Sequence, residues 1–485
     1  MPVPAAFIRT SIRPWTPPCR TAELGWAHDV GMADHSVLDE SSVERRFREL
    51  QSAGVRLVLG STVNPSGMTL AKCVPIARLA AFHRSGMGAS PVWDVFTPDG
   101  SIAFTKDITA VGDWRLRIDP GALRVISNGL AWAPTNIYSQ EDGPVPNCSR
   151  SLLGNVEQRL ATAGLHALVG HELEFVLVAP DRSMIDLPFW VPYGVTGLLD
   201  QVEFLNDLVA AMAAAGVAIE QLHAEYGRNQ FEFSLPPASP VAAADQVVLS
   251  KIIVGMVARR HGVRASFSPA PFPGTVGNGA HQHLSLARNG QPLFEKGSGP
   301  YGITDGGGSA IAGILSGIAD LQAVLTGSIL SGARLAPGTW SGAFVCWGFE
   351  NREASVRFLA GGPSNPHGGN VEVKPVDPSA NVYLASSAIL ALALCGIEGG
   401  ATLPPEVPVD PNTLSDDERR DAGLAVLSAD PVTMINTLDG SALARELLGD
   451  EIVNSTVAAR RLEQSTYADI EIDEVAQQLR LAWSI

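Results

Sequence analysis

Two carboxylates stand at alternate positions of a segment that otherwise has the composition of a buried strand. In "VGHELEFVLV", residues 169–178, Glu172 and Glu174 share one face because successive side chains of a strand point to opposite sides, and Leu173, Phe175 and Leu177 share the other. Buried carboxylates are rare unless a positive partner compensates their charge. The segment therefore predicts a strand whose acidic face meets cations.

Three further segments divide in the same way into a polar and an apolar face. Their polar pairs are Gln230 and Glu232 in "HAEYGRNQFEFSL", His281 and His283 in "GAHQHLSLA", and Glu372 and Lys374 in "GNVEVKPVD". A solvated, inert sheet face explains any one of these strands well. Four faces that all carry mainly Glu, His and Gln instead favour a shared catalytic or metal-binding surface. Carboxylates with imidazole suit Mg²⁺ or Mn²⁺, and two such ions could hold the phosphates of a nucleotide. Arginines at Arg334, Arg352 and Arg357 supply a fork for phosphate or carboxylate, although an arginine in a strand is also commonly an ion-pair partner.

The surrounding pattern predicts a small mixed module followed by a larger strand-rich domain. Helices are predicted at 43–52, 76–86, 151–164 and 201–215, and a strand at 54–63. The Gly- and Pro-containing segment 139–150 predicts a linker, so we place an extension at 1–42, a first domain at 43–142 and a second at 143–485. The apolar run 384–397 predicts a buried helix, since it is shorter than the roughly 20 residues that span a bilayer. The glycine-rich segment 304–313 is predicted to be a loop.

Composition narrows the class of protein. The 485 residues are 46% hydrophobic and carry a formal net charge of −16, which favours a globular protein and disfavours nucleic acid or an anionic membrane as partner. The five cysteines are odd in number and scattered, which indicates neither a disulfide framework nor a zinc site and fits a reducing cytoplasm. The first twenty residues lack the apolar core of a secretory signal. Met32, ahead of an acidic cap and a helical pattern, is an alternative translation start to Met1.

The order of the polar motifs resembles that of the glutamine synthetase family. The strand motif G-x-E-x-E-F is Gly170 to Phe175; the later motifs stand as "HAEYGRNQFE", "GNGAHQHLSL", "WGFENREASVR" and "EVKPVDPSANVYL", with Asn229 where glycine is usual. The resemblance covers roughly residues 43–470 and is of the type I kind. It is nearer to the γ-glutamyl-amide and γ-glutamylpolyamine synthetase branch than to the ammonia-using enzymes.

The resemblance implies an α+β fold, with a small N-terminal β-grasp-like domain before a large catalytic domain built on a curved antiparallel sheet. It also implies a homo-oligomer, a dodecamer of two hexameric rings whose active sites form between subunits. The loop around Asn64 would then come from the neighbouring subunit.

Site roles follow from the same resemblance. One Mg²⁺ or Mn²⁺ ion would bind Glu174, Glu225 and Glu232, and a second would bind Glu172, His281 and Glu372. ATP would contact Glu220, His283, Ser285, Arg352 and Arg357, of which the two arginines are the catalytic residues. The acid substrate, glutamate, would contact Gly277, Arg334, Arg352 and Lys374. In the family, ATP phosphorylates the γ-carboxylate, and an amine attacks the acyl phosphate.

Two departures from the family lie in the amine pocket. Asn64 stands where the family's enzymes have an aspartate that binds ammonium. Trp340 stands where they have a glutamate, after the segment "RLAPGT". Ammonium needs anionic neighbours to be captured and deprotonated, so the sequence predicts poor use of ammonia. Tryptophan instead suits an amine with an organic group, and the missing acids also disfavour a polyamine. On the acid side, Val276 replaces an asparagine, while Lys374 and Asn370 replace arginines.

These patterns support three hypotheses. The first is an ATP-dependent ligase that joins glutamate to a bulky or aromatic primary amine, in amine catabolism. The second is a ligase for a polyamine or ethanolamine. The third is a catalytically silent relative with an assembly or regulatory role, which the complete set of predicted metal ligands disfavours.

Overall fold

A computed structural model describes residues 40–127, 129–187 and 189–485. Residues 1–39 are not among the described residues. The alternative start at Met32 and all but the last three residues of the predicted extension 1–42 therefore lie outside them. The helices are α1 Glu40–Ser52, α2 Leu79–Arg84, α3 Ser149–Thr162, α4 Val195–Asp200, α5 Val202–Ala214, α6 Pro240–Arg260, α7 Asp305–Gly317, α8 Gln322–Leu325, α9 Ser331–Arg334, α10 Val382–Glu398, α11 Asp416–Asp421, α12 Pro431–Gly440, α13 Ala442–Leu448, α14 Asp450–Tyr467 and α15 Ile472–Leu479. The strands are β1 Leu57–Val63, β2 Thr69–Pro75, β3 Met87–Ala89, β4 Trp114–Ile118, β5 Arg124–Ser127, β6 Leu130–Tyr138, β7 Leu165–Val178, β8 Gln221–Ala224, β9 Gln230–Ala238, β10 Arg264–Ser266, β11 Gln282–Arg288, β12 Gln291–Pro292, β13 Phe344–Phe349, β14 Ala354–Leu359, β15 Asn370–Val373 and β16 Ala425–Val426.

The first sheet is formed by strands between residues 57 and 138. Its order is β2-β1-β6-β4-β3, with β5 added on β6, and the β1–β6 pair is parallel while the others are antiparallel. Apolar side chains of α1 and α2, including Leu50 and Phe82, pack against it. Gly60 of β1 allows this packing, because a Cβ there would lie 2.4 Å from the Phe82 ring. The apolar cluster under the sheet extends to Cys148, and the boundary that we placed after 142 stays a prediction.

The second sheet carries the predicted polar faces. Its order is β16-β13-β14-β15-β11-β7-β9-β8, with β10 added on β7 and β12 on β11. The pairs are antiparallel except β13–β14, which is parallel. The curved sheet and the α+β class that the sequence predicted are confirmed. The long strand β7 lies near the middle, so its side chains have neighbours on both sides.

The apolar face of β7 packs on helices, as its alternation predicted. Phe175 is fully buried and its ring lies 5.8–6.3 Å from those of Phe204, Phe231, Phe233 and Phe267. Among the described helices, α6 is long and apolar enough to cross a membrane, but 78% of that stretch is buried inside the protein. It is a core helix that contacts α3, α5 and α10. The predicted buried helix at 384–397 is α10.

The prediction of a loop at 304–313 is wrong, because these residues form most of α7. Thr304 caps the helix by accepting a hydrogen bond from the Gly307 N–H. A Cβ on Gly313 would lie 2.3 Å from the carbonyl oxygen of Leu392 and 2.7 Å from the Cα of Gly396 in α10. The glycines therefore permit a close helix crossing. The free-energy cost of glycine in a helix, about 1 kcal/mol each, is offset by this packing.

Candidate active site

Strand register brings the predicted polar residues onto one face of the second sheet. Glu174 of β7 is opposite Glu232 of β9, and Glu372 of β15 is opposite His283 of β11 on one side and Arg357 of β14 on the other. Backbone hydrogen bonds from Glu172 N–H to the His281 carbonyl and from Glu174 N–H to the Gly279 carbonyl continue the β7–β11 pairing beyond the strand. The separate motifs thus form one surface.

Glu172, His281, His283 and Glu372 form a first group. His281 Nδ1 lies 3.3 Å from Glu172 Oε2 and 3.4 Å from Glu372 Oε1, and His283 Nε2 lies 3.3 Å from Glu172 Oε1. Burial opposes ionisation of Glu372, but Lys374 and His281 lower its pKa to about 2. Burial likewise opposes the charge of His283, but the hydrogen bond and negative charge of Glu172 raise its pKa to about 9. His283, predicted to contact ATP, lies against Glu172 in the folded chain, and its contact with ATP stays a prediction.

A second group contains His223, Glu225 and Glu232. His223 Nε2 lies 2.9 Å from Glu225 Oε1 and 3.9 Å from Glu232 Oε2. Sequence reasoning missed His223, although it shares a face with Glu225 two residues later. Glu174, predicted to join Glu225 and Glu232, accepts a hydrogen bond of 2.9 Å from Gln230 Nε2. It is opposite Glu232 in the β7–β9 pair, next to this second group.

The electrostatics of the two groups fit divalent cations. Burial, followed by the charges of Glu172 and Glu174, raises the pKa of Glu232 well above its usual range, and burial raises that of Glu174. In each group, one possible ligand atom from each of three side chains lies within 4.8 Å of the other two. The three side chains are Glu172, His283 and Glu372 in the first group and His223, Glu225 and Glu232 in the second. His283 Nε2 faces Glu172 Oε1 at 3.3 Å without a well-aligned hydrogen bond among the described residues, so a cation that displaced its proton could take this ring nitrogen as a ligand. Carboxylates with imidazole suit Mg²⁺ or Mn²⁺, so the residues present fit such ions.

Positive side chains border the first group. Arg357 pairs with Glu350 and, at 3.1 Å, with Glu372 Oε2, and Lys374 Nζ lies 3.2 Å from Glu372 Oε1. Arg334 is buried, its Nη2 lies 3.3 Å from His281 Nε2, and its Nη1 has no hydrogen-bond partner within residues 40–127, 129–187 and 189–485. This unpaired buried donor is available to an anion.

Gly277 and Gly279 allow the backbone to pass close to Arg334. A Cβ on Gly277 would lie 2.8 Å from Arg334 Cβ, and one on Gly279 would lie 2.7–2.8 Å from Glu174, His281 and Arg334. The structure therefore brings Gly277, Arg334 and Lys374 together as predicted for the acid substrate. Arg352, predicted to join them, is exposed, and the described contacts do not connect it to either group.

Three of the residues predicted on the ATP side, Glu220, His283 and Ser285, contact residues 367–370. Ser285 Oγ donates to the Gly369 carbonyl at 3.3 Å, and the Asn370 side-chain oxygen lies 2.9 Å from His283 Nδ1. Glu220 pairs with His367 at 3.0 Å. These contacts connect the loop before β15 to β8 and β11.

Comparison with known proteins decides the family. The family model for the glutamine synthetase catalytic domain matches residues 146–476. The chain belongs to the glutamine synthetase family. It is 36% identical over 445 residues to a γ-glutamylpolyamine synthetase, GlnA3, of Streptomyces coelicolor, a match that covers 89% of this chain and 94% of that protein.

Solved structures agree with this assignment. A glutamine synthase homologue superposes with a TM-score of 0.77 at 30% identity, over 88% of this chain and 98% of that one. A complex of GmaS with ADP superposes with a TM-score of 0.78 at 27% identity, over 88% and 96%. The protein is therefore an ATP-dependent carbon–nitrogen ligase of the glutamine synthetase family, whose members use ATP and divalent metal ions.

The two residues predicted for the amine pocket have different environments in this glutamine synthetase relative. Trp340 is half-exposed, at 52%, in the segment that follows Arg334. Asn64 is buried: its Nδ2 donates to the carbonyls of Trp93 and Phe96, and its Oδ1 accepts from the Met68 N–H. Within one chain, Asn64 orders its own loop and makes no described contact with Trp340. Its role in an amine pocket stays a prediction.

Proposed function

We propose that the protein joins the γ-carboxylate of glutamate to a bulky or aromatic primary amine through a γ-glutamyl phosphate. The observation that carries the proposal is the half-exposed indole of Trp340, in a segment that starts at the buried Arg334. An indole surface favours an amine with an organic group, since aromatic rings attract both apolar groups and cations. A small hydrated ammonium ion gains little from such a surface.

The side chains of the site account for the phosphorylating half of this reaction. Glu172, His281, His283 and Glu372 would hold one divalent ion, and Glu174, His223, Glu225 and Glu232 a second; such ions neutralise the transferring phosphoryl group. Arg357, beside Glu372, is placed to stabilise negative charge on the phosphates, as the guanidinium fork matches phosphate oxygens.

The acid substrate is proposed to bind beside Arg334. The Nη1 of this buried guanidinium, which has no hydrogen-bond partner among the described residues, suits a carboxylate. Lys374 adds positive charge next to Glu372 but lacks the fork of an arginine. We infer glutamate, the acid that the family resemblance implies, as this substrate. Arg352, which is exposed, would have to turn inward to reach ATP or glutamate.

A polyamine ligase is the second candidate. The 36% identity to a γ-glutamylpolyamine synthetase favours it. Trp340 and the amide at Asn64 disfavour it, because the distal ammonium of a polyamine gains most from a carboxylate partner.

An amine panel separates these candidates. Phosphate release would be measured with glutamate, ATP and Mg²⁺ against ammonia, ethanolamine, putrescine, spermidine and benzylamine, with the γ-glutamyl product identified by mass. We expect benzylamine to exceed ammonia in kcat/KM by about tenfold or more, a difference of roughly 1.4 kcal/mol. Preference for spermidine or putrescine would select the second candidate. Equal use of ammonia would contradict the pocket argument, and no turnover with any amine would favour a silent relative.

We further propose a cytoplasmic dodecamer of two hexameric rings, with active sites completed between subunits and the loop around Asn64 next to a neighbour's pocket. Light scattering on the eluted protein should then give twelve times the chain mass of 51.0 kDa, about 610 kDa. An active monomer would contradict this arrangement.

A further inference from the structure

The segment that carries Trp340 adopts a backbone conformation that a side chain does not favour. We call residues 335–342 the flap. Within it Gly338 has φ +82° and Gly342 φ +75°, and Trp340 itself has φ +56°. A left-handed conformation costs a non-glycine residue on the order of 1 kcal/mol, so contacts of the flap must compensate.

Glu353 supplies two of these contacts through one carboxylate. Its Oε2 accepts a hydrogen bond of 3.0 Å from the Gly338 N–H, and its Oε1 accepts one of 2.8 Å from the Trp340 N–H. The side chain is buried, at 4% exposure, and its carboxylate forms no ion pair with a Lys, Arg or His among the described residues. The negative charge is therefore directed at the flap backbone. Hydrogen bonds to a charged acceptor are roughly twice as strong as neutral ones.

The acid is itself fixed in place by the turn between β13 and β14. Its backbone N–H donates to Asn351 Oδ1 at 3.1 Å, and Asn351 Nδ2 donates to the carbonyls of Val407 and Val409. Glu353 follows Arg352 directly and precedes β14, which carries Arg357. The contact therefore connects the flap to the strand that carries a predicted phosphate-binding arginine.

The far end of the flap is fixed on the acid-substrate side. A Cβ on Gly342 would lie 2.6 Å from Lys374 Cβ, and the Ser355 hydroxyl donates to the Gly342 carbonyl at 2.7 Å. Thr339 Oγ1 contacts the carbonyls of Arg334 and Ala336. Thr339 and Ser341 form bonds within the flap and to Arg334, while the described hydrogen bonds of the Gly338 and Trp340 N–H groups both go to Glu353.

We propose that Glu353 is a positioning residue that holds the flap with its indole at the amine side, and that it thereby determines amine affinity. This inference rests on the proposed amine-ligase function. Glu353 does not touch substrate, since both of its oxygens are engaged by the flap. It keeps a carboxylate near the pocket while withholding it from the amine, which fits a site for organic amines rather than ammonium.

The test is Glu353→Gln in the full-length protein. A glutamine offers one oxygen and an NH₂ group that faces an N–H donor, so one of the two bonds is lost. Hydrogen exchange followed by mass spectrometry should show the peptide 335–342 exchanging about tenfold faster or more. The KM for the best amine should rise about tenfold, while kcat changes by less than roughly threefold and the KM for glutamate is kept. Glu353→Asp, which keeps the charge but shortens the reach, should restore part of both effects.

A matched control uses Glu406, which accepts a 3.0 Å bond from the Phe349 N–H and lies outside the flap. Glu406→Gln should leave flap exchange and amine KM unchanged. Unchanged exchange in Glu353→Gln, or faster exchange with no change in amine KM, would overturn the proposal. If Glu353→Gln does not fold, Glu353→Asp carries the same comparison. Absence of amine turnover by the unchanged protein would contradict the proposed function alone, since the exchange measurement needs no substrate.

Discussion

At the scale of single residues, charge compensation explains the site. Glu172, Glu174, Glu232 and Glu372 lie on one sheet face, and Glu174 and Glu232 have raised pKa values, principally because of burial. Arg357 and Lys374 neutralise Glu372. Such a set of acids is stable in the folded protein only with protons or cations among them. That requirement makes a two-metal site the simplest use of this surface.

Trp340→Glu should increase the use of ammonia relative to organic amines. The half-exposed side chain would place a carboxylate where ammonium can be bound and deprotonated. We expect the ratio of kcat/KM for ammonia to that for the best organic amine to rise about tenfold or more. Trp340→Phe keeps an aromatic surface and should leave the ratio within roughly threefold. An unchanged ratio in Trp340→Glu would show that the indole does not contact the amine.

Substitution of Asn64, in contrast, should change the stability of the protein. Its Nδ2 donates to two backbone carbonyls, so Asn64→Asp would direct a carboxylate oxygen at the oxygens of Trp93 and Phe96. The lost bonds and the repulsion should lower the free energy of unfolding by about 1–3 kcal/mol. Urea unfolding measures the change. Asn365→Asp is a suitable comparison, because Asn365 also donates to two carbonyls but is less buried. No loss of stability in Asn64→Asp would contradict the structural role.

The sequence predicted the shared face of the acidic side chains far better than the surroundings of Trp340 and Asn64. Glu172, Glu174, Glu232 and Glu372 were predictable because alternation along a strand is a local pattern. His223 has the same spacing from Glu225, but its significance depends on β8 lying next to β9. The partners of Asn64 are some thirty residues away and those of the flap come from a turn after β13, so only the folded chain reveals them.

At the scale of elements, glycines determine how closely α7 and α10 approach. Gly313→Ala would place a Cβ 2.3 Å from a backbone oxygen of α10, which a helix backbone cannot readily avoid. We expect a loss of about 1–3 kcal/mol in the free energy of unfolding, although alanine favours a helix by about 1 kcal/mol. Gly306→Ala, in the first turn of the same helix and 3.6 Å from Leu293, should be neutral or stabilising. Equal stability of the two variants would contradict close packing. The incorrect prediction of a loop here arose because glycine was interpreted locally, without the facing helix.

At the scale of the whole molecule, a buried polar network joins the first sheet's module to the helices that follow the second. Asn147 Nδ2 donates to Asp94 Oδ2 at 2.7 Å and to Ser455 Oγ in α14 at 2.9 Å. Asp94 is 4% exposed, and burial raises its pKa to about 6, although the bonds from Ser455 and Asn147 act in the opposite direction. An ionised Asp94 is therefore a cost of this connection at neutral pH.

The sign of this effect predicts a specific pH dependence. Below pH 3.8, the ordinary pKa of aspartate, the acid is neutral in both states and no cost arises; stability is lost as the pH rises to about 6, because the unfolded chain ionises first. Asp94→Asn, which keeps an acceptor for Asn147, should abolish this loss and add up to about 3 kcal/mol to the free energy of unfolding at neutral pH. Urea unfolding at acidic and neutral pH measures the difference between the two proteins, so that other titrating groups cancel.

Asp99 provides a control of opposite sign in the same module. Burial would raise its pKa, but the hydrogen bonds from Thr97 and Ser101 lower it below the usual value. Ionised Asp99 thus contributes stability that is present above the ordinary aspartate pKa and is lost as the pH falls through its lowered pKa. Asp99→Asn should therefore be less stable than the unchanged protein at neutral pH, with the difference disappearing in acid. If Asp94→Asn followed the same direction as Asp99→Asn, the buried acid would be stabilising the junction while ionised, and a positive partner would have to lie beside it.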